Sequence, residues 1–207
     1  MKKIIDLIKS YQFYIIYIIF YEFLYILSGF KGNNFYLRKS HKSTDTIPCP
    51  YYFLEIIYDI IKKEDINSLI DLGCGNGRVL YYFNKKMKIE YTGVELFKDS
   101  YNTCLNTFKS HNNIKLINAN FFDLNFKDFK CDCYFLNDPL VEVGDHNKLI
   151  NLIISSLRHF NRSAIFVTVN LTEGKHIIFN SMEKIFSFKI NTRNINIYRF
   201  YSINTVT

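Results

Sequence analysis

The stretch Ser68-Leu-Ile-Asp71-Leu-Gly73-Cys-Gly75-Asn-Gly77-Arg78-Val79 decides the fold. A short apolar run ends on an acid, three glycines follow at alternate positions, and a segment of helical pattern comes next. An apolar run this short, bounded by a glycine turn, reads as a buried strand. Glycine is needed where the backbone must turn tightly and a ligand must approach without a Cβ in the way. The helix that follows offers free N–H groups and the positive end of its dipole to whatever sits in the turn. A dinucleotide fingerprint, G-x-G-x-x-G, would require glycine at position 78, where this chain has arginine. The spacing speaks against a dinucleotide site.

Outward from this turn the chain alternates. Apolar patterning predicts strands at Ser68–Asp71, Tyr91–Glu95, Ile114–Asn118, Cys131–Leu136 and Ala164–Val169, with helices at about 78–87, 98–110 and 145–159. Alternation of this kind gives a mostly parallel sheet covered by helices on both faces. Upstream, Pro50 suits the first turn of a helix running on from Tyr51, whose Phe53, Ile56, Ile57, Ile60 and Ile61 form an apolar stripe. Downstream, residues 184–190 and 194–203 read as two strands joined by a short Asn/Thr/Arg turn, an antiparallel hairpin.

With these elements in order, Asp71-Leu-Gly73-Cys-Gly75-Asn-Gly77-Arg78 resembles the first motif of the class I, seven-stranded S-adenosylmethionine-dependent methyltransferases, and the likeness extends across residues 51–203. It implies a Rossmann-like, doubly wound, mostly parallel seven-stranded sheet ending in an antiparallel hairpin, with S-adenosylmethionine as cofactor. In that family the glycine loop wraps the methionine part of the cofactor, so Gly73, Gly75 and Gly77 would line it and Asp71 would help hold the ammonium group. Glu95, which ends Gly93-Val94-Glu95, stands at the family's acid for the ribose hydroxyls. A carboxylate suits that task because it accepts hydrogen bonds from both. In Ile117-Asn118-Ala119-Asn120-Phe121, Asn120 occupies the place of an acid that accepts from the adenine amino group. This is a departure, although an amide carbonyl still accepts such a bond. Phe121 either covers the adenine or packs in the core. Asn137-Asp138-Pro139-Leu140 stands at the strand end that faces the transferable methyl. Base-directed amino-methyltransferases often carry Asn/Asp-Pro-Pro-Tyr/Phe there; the second proline and the aromatic are missing here, which puts nucleobase methylation in doubt. Asn137 and Asp138 are the candidates for acceptor contact, or else form a plain Asn-Asp-Pro turn. A looser likeness to small bacterial methyltransferases of unassigned substrate rests on Pro48-Cys-Pro50-Tyr-Tyr52 and the same strand end.

Net charge is +7, unevenly placed: residues 1–50 carry seven Lys/Arg against three Asp/Glu, the rest nineteen against sixteen. The catalytic region lacks the dense basic stripe of a phosphate-neutralising protein, so nucleic acid is not indicated. Five cysteines without zinc spacing read as free thiols in a reducing, cytoplasmic setting, with Cys131 and Cys133 sharing a face of a strand in the core. The segment Tyr11–Leu27 holds only Gln12 and Glu22 as strong polar interruptions. As a helix it would rise about 25 Å, short of a hydrocarbon core of about 30 Å. It is either a tilted or interfacial membrane element or a helix packed on the domain. The expected organisation is a hydrophobic N-terminal helix (1–30), a basic connector (31–50) and a methyltransferase domain (51–207). The acceptor is expected to be a small molecule or envelope-associated; a protein or nucleic-acid methyltransferase, and a non-catalytic cofactor-binding scaffold, are the alternatives. No metal site and no oligomeric state are legible, and methyl transfer from a sulfonium does not by itself demand a general base.

Overall fold

A computed structural model describes residues 12–27, 48–172 and 174–202 of the chain. The expected connector lies outside the described residues up to position 47, as do Tyr11 and the last residue of the expected hairpin.

The strands β1 (Ser68–Leu72), β2 (Glu90–Glu95), β3 (Ile114–Asn118), β4 (Cys133–Asn137), β5 (Ala164–Val169), β6 (Glu183–Ile190) and β7 (Arg193–Phe200) form one sheet in the order β3-β2-β1-β4-β5-β7-β6. The pairs among β1 to β5 are parallel, whereas β7 runs antiparallel to both β5 and β6. This is the expected Rossmann-like sheet with its C-terminal hairpin. The chain order reverses at β1, whose neighbours are β2 and β4, and ligands in open α/β sheets bind in the crevice at such a switch point.

The helices are α1 (Ile15–Leu27), α2 (Tyr51–Ile61), α3 (Arg78–Lys86), α4 (Lys98–Phe108) and α5 (Val143–His159). Strand side chains alternate between two cores. Leu69, Phe135, Val167 and Ile197 face α2, α3 and α4, while Ile70, Leu136, Phe166 and Tyr198 face α5. Both faces are therefore dry, which is why β5 is buried along its whole length. Strand β4 begins two residues later than its apolar pattern suggests. Asp132 is turned to other work: its carboxylate accepts from Asn67 N and Ser68 Oγ and pairs with Arg162 at 2.6 Å. All five cysteines are free and buried, and burial pushes the Cys131 thiol up to about 12.

The turn after β1 shows why its glycines are there. Gly73, Gly75 and Gly77 all have positive φ (87°, 54° and 87°). At Gly77 a Cβ would also stand 2.5 Å from Phe108 Cε2 and 2.7 Å from Cys104 Sγ. Gly77→Ala should therefore cost about 2 kcal/mol from strain and overpacking together, read as a lower denaturation midpoint at unchanged m-value.

Helix α1 packs on the domain. Tyr25 stacks on Tyr51 with centroids 4.1 Å apart, its hydroxyl donates to Glu55 at 2.6 Å, and Tyr14, Tyr17 and Tyr21 surround Tyr52. No helix among the described residues is long and apolar enough to cross a membrane; α1, with 13 residues, would rise only about 20 Å.

Candidate active site

The carboxyl ends of the parallel strands bring most of the expected residues to one edge. Register pairs Asp71 with Gly93 and with Phe135, Glu95 with Asn118, and Asn137 with Val169. Asp71, Glu95, Asn137 and Asp138 thus border the same crevice.

Asp71 is buried, and its Oδ2 has no hydrogen-bond partner among the described residues. Burial first, and the Glu95 charge second, push its carboxyl up to about 8. A buried acid left this way is costly, and a cation at its open oxygen would remove the cost. The ammonium of an amino-acid moiety fits that demand. Glu95 is also buried, and both of its oxygens are in use: Oε2 accepts from Gly75 N at 2.8 Å and Oε1 from Phe97 N at 2.8 Å. It latches the glycine loop to β2, so a ribose would share its remaining lone pairs. The loop is held a second way, because Gly73 N and Cys74 N both donate to Val94 O.

Asn120 is exposed and caps a short 3-10 turn (Phe121–Asp123), its Oδ1 accepting from Phe122 N at 3.0 Å. Phe121 is buried in the α5-side core, with its ring tip 3.7 Å from where a Cβ on Gly73 would stand. It serves core packing while bordering the glycine loop.

At the end of β4, Asn137 Oδ1 accepts from Asn170 Nδ2 at 3.2 Å. Asp138 takes a positive φ of 41° and is nearly buried. Its Oδ1 accepts from Lys175 Nζ at 2.6 Å, and the same ammonium donates to Leu140 O. Burial raises the Asp138 carboxyl, with Lys175 and then His176 opposing. Lys175 is only 1% exposed. It sits just after Gly174, whose φ of 88° turns the chain inward behind β5. Sequence reasoning missed Lys175, because no periodicity marks it and its partner lies 37 residues away.

His146 lies on α5 and is fully buried. Neither ring nitrogen has a partner among the described residues, and burial, then Lys175 and His176, lower its pKa to about 4. The spacing His146, Leu149, Ile150, Ile153, Leu157 was the available signal, since it puts the imidazole on the inward stripe. Arg78, the residue that argues against a dinucleotide loop, begins α3 and is buried under α1. Its Nη1 donates to both oxygens of Glu22, at 2.8 and 2.9 Å, and to Cys49 O, while its guanidinium lies 4.6 Å from the Tyr51 ring centroid.

Residues 69–159 match the family model described as a methyltransferase domain. Over this stretch, which is under half of the chain, the sequence is similar to methyltransferase domains. The matched region runs from β1 through α5 and so contains the glycine loop, Glu95 and Asp138. Solved structures agree in fold. An RNA methyltransferase from Salinibacter ruber, in complex with S-adenosyl-L-homocysteine, superposes with a TM-score of 0.58 at 13% identity, covering 78% of this chain and 97% of that one. Two proteins provisionally described as methyltransferases are similar to the same extent. One, from Pseudomonas syringae, has a TM-score of 0.60 at 12% identity and covers 72% of this chain and 99% of its own. The other, from Escherichia coli, has a TM-score of 0.59 at 12% identity and covers 76% and 88%. Identities this low speak for the fold alone. A search of curated proteins found no match.

Proposed function

We propose that this methyltransferase domain moves a methyl group by in-line displacement to a small-molecule or envelope-associated acceptor on the cytoplasmic side. The observation that carries the site assignment is Asp71: a buried carboxyl with an open oxygen, beside a loop of three positive-φ glycines. S-adenosylmethionine, when bound, supplies a methyl on a sulfonium and hence a leaving group that is already activated. Asp71 and the Gly73–Gly77 loop would hold its amino-acid end, and Glu95 its ribose. Asn120 would accept from the adenine amino group with the lone pair that Phe122 N leaves, and Phe121 would support the ring.

At the other end of the crevice Asn137 and Asp138 would face the acceptor, with Lys175 keeping the Asp138 carboxylate in place. Alignment is the main contribution asked of these residues. Asp138 would also take a proton where the acceptor must lose one. The missing second proline and aromatic after Asp138 support an acceptor other than a nucleobase.

The test is calorimetric titration of S-adenosylmethionine into the purified chain. Glu95→Ala should weaken binding about thirtyfold, the worth of two charge-assisted hydrogen bonds less their solvation. A folded wild type that takes up no cofactor would overturn the assignment of these residues.

A further inference from the structure

Helix α1 is apolar on both faces. A helix on a soluble surface turns its charges outward and its apolar stripe inward. Here the single charged residue, Glu22, points inward to Arg78 and to Tyr51 N, alongside Tyr21, Tyr25 and the buried Ile18. The outward positions are Ile16, Ile19, Phe20, Phe23, Leu24, Ile26 and Leu27, with Phe13 in the 3-10 turn (Gln12–Tyr14) just before the helix, all exposed, from 43% at Leu24 to 86% at Phe13. Side chains of roughly 150–250 Å² at such exposure present on the order of 1,000 Å² of apolar surface. Soluble monomers rarely show a patch beyond about 300–600 Å².

We propose that this face docks α1 in the plane of an anionic bilayer surface, as a monotopic anchor that does not cross the membrane. Charge selects lipid over a second copy of the chain. Lys2, Lys3 and Lys9 against Asp6 precede the helix in sequence, and Lys31, Arg38, Lys39 and Lys42 against Asp45 follow it, so both flanks are net positive. Such flanks attract anionic headgroups, whereas a second copy of the chain offers them only more net positive charge. The inward contacts select in-plane docking over spanning. Glu22 to Arg78, Tyr25 to Glu55 and the Tyr25–Tyr51 stack fix α1 along the domain, and a crossing helix would have to break all three. Because Arg78 opens the helix that follows the glycine loop, docking sets the crevice close to the lipid. This deepens the envelope-associated reading of the acceptor, but it does not depend on methyl transfer.

The experiment is flotation of the full chain with vesicles of phosphatidylcholine containing about 30% phosphatidylglycerol. The wild type should float with them, and at least about tenfold less with pure phosphatidylcholine or in about 0.5 M salt. Phe20→Ser/Phe23→Ser, at exposed positions, should lose vesicle binding while keeping its circular dichroism and cofactor affinity. Three results would overturn the proposal. In one, the wild type stays free of every vesicle. In another, it is a dimer in solution that the double variant dissolves. In the third, the membrane-bound protein resists alkaline carbonate extraction, as a spanning helix would. Loss of cofactor binding in a chain that still floats would count against the active-site reading and leave the anchor standing.

Discussion

Asp71→Asn is expected to stabilise the ligand-free protein and at the same time to weaken S-adenosylmethionine binding by a hundredfold or more. Both effects follow from one buried carboxyl. In the folded chain its pKa is pushed up to about 8, whereas in the unfolded chain it lies near the ordinary value of about 3.9. A raised folded-state pKa means that the native protein holds a proton which the unfolded chain has released. The contribution to stability is then full below pH ~4 and is lost as pH rises through about 8. Asparagine does not titrate, so the advantage of the variant should widen from pH 5 to pH 8, on the order of a few kcal/mol. Cofactor binding runs the other way. An ammonium at Oδ2 requires the ionised acid, so below pH 8 binding must expel a proton. Wild-type affinity should rise about tenfold between pH 6 and pH 7, with one proton appearing in the buffer. In Asp71→Asn both the proton release and the pH dependence should vanish. An analogue without the amino group should bind wild type and variant alike. Equal affinity of the two proteins for the intact cofactor would remove Asp71 from the site.

How much of this was legible in the sequence depended on whether a residue's partner lay within a few positions. The β1 turn was fully readable because strand, acid, three glycines and helix are adjacent and each obeys a local rule. The parallel core and terminal hairpin followed from apolar patterning of short segments. Errors at element edges came from side chains with distant obligations. Cys131 and Asp132 look like the start of β4, yet Asp132 is committed to Asn67, Ser68 and Arg162. Glu22 looked like an interruption of an apolar run, and its significance appears only once Arg78, 56 residues on, lies beneath it. Asn120 stood at the right place by motif, but the geometry adds a capping bond that spacing does not reveal. Asn137 and Asp138 were identified as candidates, whereas the lysine that organises the second of them was not, since an isolated Lys in a loop carries no local signature. At the N-terminus, composition left an interfacial and a packed helix both open. The fold shows that one face of α1 packs on the domain while the other is left to the surroundings.

Lys175 supports the second large prediction, because a buried ion pair is most sensitive to losing one partner. Lys175→Met keeps the length and apolar stem of the side chain but removes the charge from a position that is 1% exposed. Asp138 is then left without its 2.6 Å partner and Leu140 O without its donor. Breaking a buried pair from one side costs about 3–5 kcal/mol, since the remaining charge stays desolvated. Lys175 and His176 now hold the Asp138 carboxyl down against burial. In the variant its pKa should climb further. His146 should respond oppositely: burial remains, but relief from the Lys175 charge should raise its pKa from about 4. The decisive comparison is the double variant Lys175→Met/Asp138→Asn. Removing both charges should recover most of the lost stability, as neutral replacements of buried pairs commonly do, and asparagine tolerates the positive φ at position 138. Cofactor affinity should stay within about threefold in all three proteins, as neither side chain belongs to the cradle around Asp71 and Glu95. Methyl transfer should fall by about 10²–10⁴ in the double variant for any acceptor that must shed a proton. Recovered stability with lost turnover would make Asp138 the acceptor-facing acid and Lys175 its positioning residue. Additive stability losses, in a denaturant-unfolding cycle, would instead show that the two charges act independently and that the 2.6 Å contact is incidental.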